Sequence, residues 1–71
     1  MPDVTARQLE VLAQLLATPG HKRVAEALHI SPHTVRSHMV SLRRTLGVTT
    51  TEQAIYLLTT RGLLSVPEVA A

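Results

Sequence analysis

Apolar residues recur along this chain with a single period. Between residues 32 and 47 they fall at Val35, Met39, Leu42 and Leu46, in steps of four, three and four. That is the spacing of an α-helix burying one narrow stripe. Upstream, Leu9, Leu12, Ala13 and Leu16 share a face, which Val11 and Leu15 widen. Val24, Ala25 and Leu28 make a shorter inward face, and Ala54, Leu57 and Leu58 with the stem of Arg61 make a fourth. Nothing alternates with a period of two, so neither a strand nor a wing hairpin is expected. The fold class that follows is all-α, with four helices at about 6–17, 21–28, 32–46 and 51–61.

Polar residues between these stripes set the helix ends. Thr5-x-x-Gln8 and Thr50-x-x-Gln53 each fit a capping box, in which hydroxyl and amide satisfy each other's backbone N–H. Ser31 is placed to cap the third helix, with Pro32 as its first residue, where a missing N–H costs nothing. Thr18-Pro19-Gly20 is a breaker. Thr18 with Pro19 would cap the second helix early, Gly20 later; the later start is preferred. His29-Ile30-Ser31 is a turn, Gly47 is a left-handed stop, and Gly62 ends the fourth helix. Leu63 and Leu64 are expected to fold back as a hydrophobic latch. Residues 65–71, SVPEVAA, read as a loose tail on a core of about 4–64.

With 71 residues the chain is expected to form one domain. A domain of this size buries only about 60% of the surface of its unfolded chain. There is no cysteine and Tyr56 is the only aromatic residue, so stability rests on aliphatic packing or on oligomerisation. Two short helices joined by three residues suggest a helix-turn-helix. The same pattern suits a small protein-interaction bundle, and helical spacing alone does not separate the two.

Charge placement changes that balance. The net charge is +2 and the pI about 10.0, an excess that permits an anionic partner without requiring one. At 100° per residue the stripe of the third helix covers about −20° to +40° around Val35. Opposite it lie His33, Ser37, Val40 and Arg44, with Arg36 and Ser41 at the margins, Thr34 and His38 flanking one side and Arg43 the other. No acid occurs between Glu26 and Glu52. A solvated helix face ordinarily mixes Glu with Lys or Arg; here the acids are missing. Val40, apolar and β-branched, sits within the polar face, a position that suits a thymine methyl group or a partner surface.

The stretches VTARQLEVLAQLLA, KRVAEALHISPHTVRSHMVSLRRTLGV and TTEQAIYLLTTRGLL resemble the LuxR-type helix-turn-helix domain of bacterial transcription regulators. The likeness covers about residues 4–64. Its most specific parts are Ile30-Ser31-Pro32-x-Thr34-Val35-Arg36-Ser37-His38 with Leu46-Gly47-Val48, and Thr5-x-Arg7-x-x-Glu10-Val11-Leu12. The resemblance implies four helices, the second and third forming the reading motif and the fourth serving dimerisation. It implies sequence-specific binding of double-stranded DNA as a transcription regulator, with base reading by Arg36, Ser37 and Val40. Lys22, Thr34, His38 and Arg44 then meet phosphates, and Arg7 with Glu10 holds the first helix on the motif. His33, on the same outward face, joins the base-reading candidates; Arg43 and Ser41 join the phosphate-binding ones. The chain departs from the family pattern at Ala6, Gln8, Thr18, Arg23, Val40 and Thr51; where it has Val40 a polar residue is frequent.

Tyr56 lies opposite the Ala54–Leu58 stripe with Glu52, Thr59 and Thr60, on a face with little charge. Tyrosine is enriched at interfaces, so these four residues are the expected homodimer surface, with pairing mainly on DNA. RNA polymerase is a further partner in such a regulator. The alternative is a protein-interaction adaptor or anti-activator on the same fold that no longer reads DNA. The acid-free third helix favours DNA; the modest net charge and Arg23 leave room for the adaptor.

Other chemistries find little support. His33 and His38 point about 140° apart on a helix and no cysteine or nearby carboxylate completes a metal site. No nucleophile sits by a base and no Gly-rich loop cradles phosphate, so no enzyme and no cofactor is expected. No apolar run approaches the roughly 18 residues of a membrane span, and the first residues lack the pattern of a signal peptide. The expected location is cytoplasmic, at the bacterial nucleoid. The chain is either a stand-alone regulator, which its initial Met favours, or the carboxy-terminal piece of a longer one.

Overall fold

A computed structural model describes residues 4–18 and 20–64 of the chain. Four helices follow one another: α1 (Ala6–Ala17), α2 (His21–Leu28), α3 (Pro32–Leu46) and α4 (Thr51–Thr60), with no strand among the described residues. The class is the all-α one expected, and the helices match the expected bounds except at the end of α4.

Three of the four helices start as their capping residues dictate. Thr5 Oγ1 accepts from the Gln8 N–H at 3.0 Å, and Gln8 Oε1 accepts from the Thr5 N–H at 3.1 Å. Thr50 and Gln53 repeat the exchange at 3.1 and 3.2 Å. Ser31 Oγ accepts from the Thr34 N–H at 3.1 Å, with Pro32 at the first helical position. A side-chain cap of this kind is worth about 1 kcal/mol. α2 has none: it starts after Gly20, which holds φ at 112° and offers no side chain to the first turn. The later of the two starts is the one adopted.

Three helices end alike. His29, Gly47 and Gly62 take left-handed φ angles of 59°, 71° and 72°. The next N–H in each case closes back on the helix: Ile30 on the Ala25 carbonyl at 3.0 Å, Val48 on Arg43 at 3.0 Å, Leu63 on Leu58 at 2.9 Å. These bonds satisfy carbonyls the helix would leave open. The two glycines were legible as stops. His29 read only as part of a turn, yet it takes a conformation that costs a side-chain-bearing residue about 1–2 kcal/mol.

α3 is the centre of the packing. Val35, Met39 and Leu42 are buried against Val11 and Leu12 of α1, Val24 and Ala25 of α2, Leu58 of α4, and Leu64. α3 packs on each of the other three helices, and α1 and α2 also meet. Among the described residues α4 packs on α3 and on no other helix.

The structure corrects several inward assignments. Ala13 is exposed, while Gln8 is buried beside Val11 and Leu12. The inner face of α1 is centred between Val11 and Leu12, which leaves Ala13 past its edge, and Gln8 tolerates burial because its amide is engaged with Thr5. Arg61 is exposed, not inward, because α4 stops one residue early and Arg61 already belongs to the closing turn. The latch is half realised: Leu64 is buried, whereas Leu63 is 53% exposed. Leu28, Leu46 and Leu57 are half-buried. The expected loose tail, 65–71, lies outside the described residues.

Candidate nucleic-acid interface

Burying Val35, Met39 and Leu42 forces the opposite side of α3 outward. His33, Arg36, Ser37, Val40, Ser41 and Arg44 are all exposed, along a helix of 15 residues, about 22 Å long. Thr34, His38 and Arg43 are half-buried at the two edges of the core stripe. Among the described residues no carboxylate or carbonyl pairs with Arg36, Arg44 or Lys22. The sequence-predicted base-reading group, His33, Arg36, Ser37 and Val40, is thus brought together on one open surface.

Two further arginines, Arg7 and Arg43, are engaged within the protein. Arg7 pairs with Glu10, and its Nη2 donates to the Leu28 carbonyl at 3.2 Å. It thereby ties α1 to the last turn of α2, just before His29. Arg43 Nη1 donates to Thr51 Oγ1 at 3.3 Å. That contact turns Arg43 toward the first turn of α4. Sequence reasoning missed Thr51 as its partner, because the contact spans eight residues and no short motif announces it.

Thr34 is held by Ser31. Ser31 Oγ accepts from the Thr34 N–H, and the two hydroxyl oxygens stand 2.8 Å apart. Ser41 borders the exposed face on the far side from Arg43. Lys22 is exposed on the first turn of α2, whose first N–H groups have no side-chain cap. Glu26 lies one turn further along the same helix.

The outer side of α4 is different. Val48, Glu52, Gln53, Tyr56 and Leu57 line an open groove of about 420 Å³. Tyr56 is 69% exposed. Of the four residues expected at a dimer contact, Glu52 and Tyr56 belong to the groove; Thr59 and Thr60 lie exposed beyond it. Thr60 Oγ1 donates to the Leu57 carbonyl at 2.9 Å. Val48, Gln53 and Leu57 were missed, although Gln53 and Leu57 repeat the four-residue step of Glu52 and Tyr56 on the adjacent row. Among the described residues no three metal-ligating side chains gather, and no helix is long and apolar enough to cross a membrane.

The sequence profile described as "Bacterial regulatory proteins, luxR family" matches residues 3–58. The chain belongs to the luxR family. The family is one of DNA-binding transcription regulators with a helix-turn-helix, not a class of enzymes. Two curated relatives agree. The candidate HTH-type transcriptional regulator YhjB of Escherichia coli (strain K12) is 40% identical over 58 residues, 82% of this chain and 29% of that protein. The transcriptional regulatory protein MctR of Rhizobium johnstonii is 32% identical over 62 residues, 87% of this chain and 29% of that protein. The luxR-family chain thus spans under a third of the length of the relatives it matches. In its fold the helix-turn-helix is α2, the turn at 29–31, and α3.

Proposed function

We propose that this luxR-family chain binds double-stranded DNA sequence-specifically, with α3 in the major groove. The observation that carries the reading is the outer face of α3: exposed, free of acids, and holding Arg36 and Arg44 without internal partners. Arg36, Ser37, Val40 and His33 meet base edges. Lys22, Thr34, His38, Arg44 and Ser41 meet phosphates, and Arg43 does so only from the α4 side, where it is held by Thr51. When Ser31 donates to Thr34, the Thr34 hydroxyl proton is left for a phosphate oxygen. The uncapped start of α2 offers backbone N–H groups beside Lys22 to another.

A single reading helix touches few base pairs, so useful selectivity needs two copies. The groove at Tyr56 is the surface for a two-fold contact, and because it is small, pairing occurs mainly on DNA. In a cell such a chain works in the cytoplasm, at the nucleoid, and a contact with RNA polymerase would complete the regulator. The test is selection of duplexes from a random pool, followed by titration of the enriched and scrambled duplexes at low and moderate salt. Enrichment with at least about a thousandfold preference supports specific reading. Equal affinity for both duplexes overturns it and favours the adaptor.

A further inference from the structure

Val40 is 39% exposed, in the middle of α3, and packs in no core cluster. Isolated apolar residues on a protein surface are ordinary. Val40 is distinguished by its surroundings. On the helix it stands about 20° from His33 and about 40° from each of Arg36 and Arg44, all of them exposed. A β-branched residue also has a lower helix propensity than alanine or the long polar residues that would solvate this position. Neither folding nor solubility accounts for valine there.

The major groove presents a single apolar feature, the 5-methyl group of thymine. An apolar side chain within a polar, cationic reading face therefore suits one base. We propose that Val40 reads a thymine methyl group, which makes it a specificity-determining residue of this chain; the proposal rests on α3 being the major-groove element. Arg36 precedes Val40 by one helical turn, about 6 Å along the axis, and base pairs are spaced about 3.4 Å apart. The thymine accordingly lies about two base-pair steps from the base met by Arg36, whose bidentate donors suit guanine.

Deoxyuridine lacks only the methyl group, so replacing thymines one at a time in a duplex selected from the random pool isolates the contact without altering the protein. The expected result is one thymine, within about two steps of the Arg36-dependent base, whose replacement weakens the wild-type chain about threefold to tenfold. Val40→Ala should lose a similar factor on the thymine duplex and show no further loss on the deoxyuridine one, with its circular dichroism unchanged. The inference is overturned if every thymine is replaceable without cost while other base changes still abolish binding. It is equally overturned if the deoxyuridine penalty is the same in wild type and Val40→Ala. A chain that enriches no sequence fails the proposed function itself and takes this inference with it, an outcome distinct from the other two.

Discussion

The outer sides of α3 and α4 belong to helices that pack on each other, yet they suit opposite kinds of partner. α3 turns outward hydroxyls, imidazoles and unpaired guanidinium groups, with Val40 among them. α4 turns outward an open groove lined by Val48, Glu52, Gln53, Tyr56 and Leu57. In the function proposed, the first meets the polyanion and its base edges and the second meets another copy of the chain. On that reading, a small chain keeps its two contacts on separate helices. Among the described residues α3 packs on all three other helices, while α4 packs on no helix but α3.

The largest effect should come from breaking what joins the two surfaces. Leu42 and Leu58 are both fully buried leucines. Leu42→Ala should cost about 2–5 kcal/mol, a large part of the stability of a chain this size, and should remove DNA binding and pairing together. Leu58→Ala opens its cavity in the same core but on the α4 side, so it should fall toward the lower end of that range and lose pairing before half-site binding. Urea titration with circular dichroism, beside half-site and full-site binding, measures both. If the two variants lose half-site binding equally, the surfaces are not separable.

Next in size is a change confined to the reading face. Arg36→Ala should cost about 1–3 kcal/mol of specific binding and relax the preference at one base pair, leaving the fold intact. A variant that binds the selected duplex as tightly as wild type would remove Arg36 from the base-reading group. The matching change on α4 is Tyr56→Asp, which puts a carboxylate in the groove one turn from Glu52. The like-charge pair costs the free helix only about 0.2–0.5 kcal/mol. It should abolish cooperative binding to two half-sites about one helical turn apart and spare binding to one. Unchanged cooperativity would take α4 out of the contact.

The smallest effect should be at the edge of the reading surface. Lys22→Ala should weaken binding to all duplexes about equally and lower the salt slope by about one unit. A loss that depends on sequence, with the slope unaltered, would place Lys22 at a base instead.

Much of this was written locally. The capping boxes at Thr5 and Thr50, the Ser31-Pro32 start and the Gly47 and Gly62 stops each depend on a few adjacent residues. For that reason they could be placed before any packing was known. The outward group His33, Arg36, Ser37, Val40 and Arg44 was legible for a similar reason: once a helix buries Val35, Met39 and Leu42, its period fixes what faces away. The left-handed conformation of His29 was not legible, because histidine does not announce it as glycine does.

What the sequence determined by itself is the set of helices, their ends and the outward face of α3, since these follow from backbone hydrogen bonding and a 3.6-residue period. Tertiary structure alone decided which side of α1 is inner, admitting Gln8 and leaving Ala13 out. It also decided that Arg7 reaches the Leu28 carbonyl, that Arg43 turns to Thr51, and that Leu64 rather than Leu63 closes the core. Each of these depends on where a neighbouring helix lies. A helix with apolar residues around more than one side has several faces it could bury, and a long cation has several acceptors within reach. Only the packing of the helices against one another selects among them.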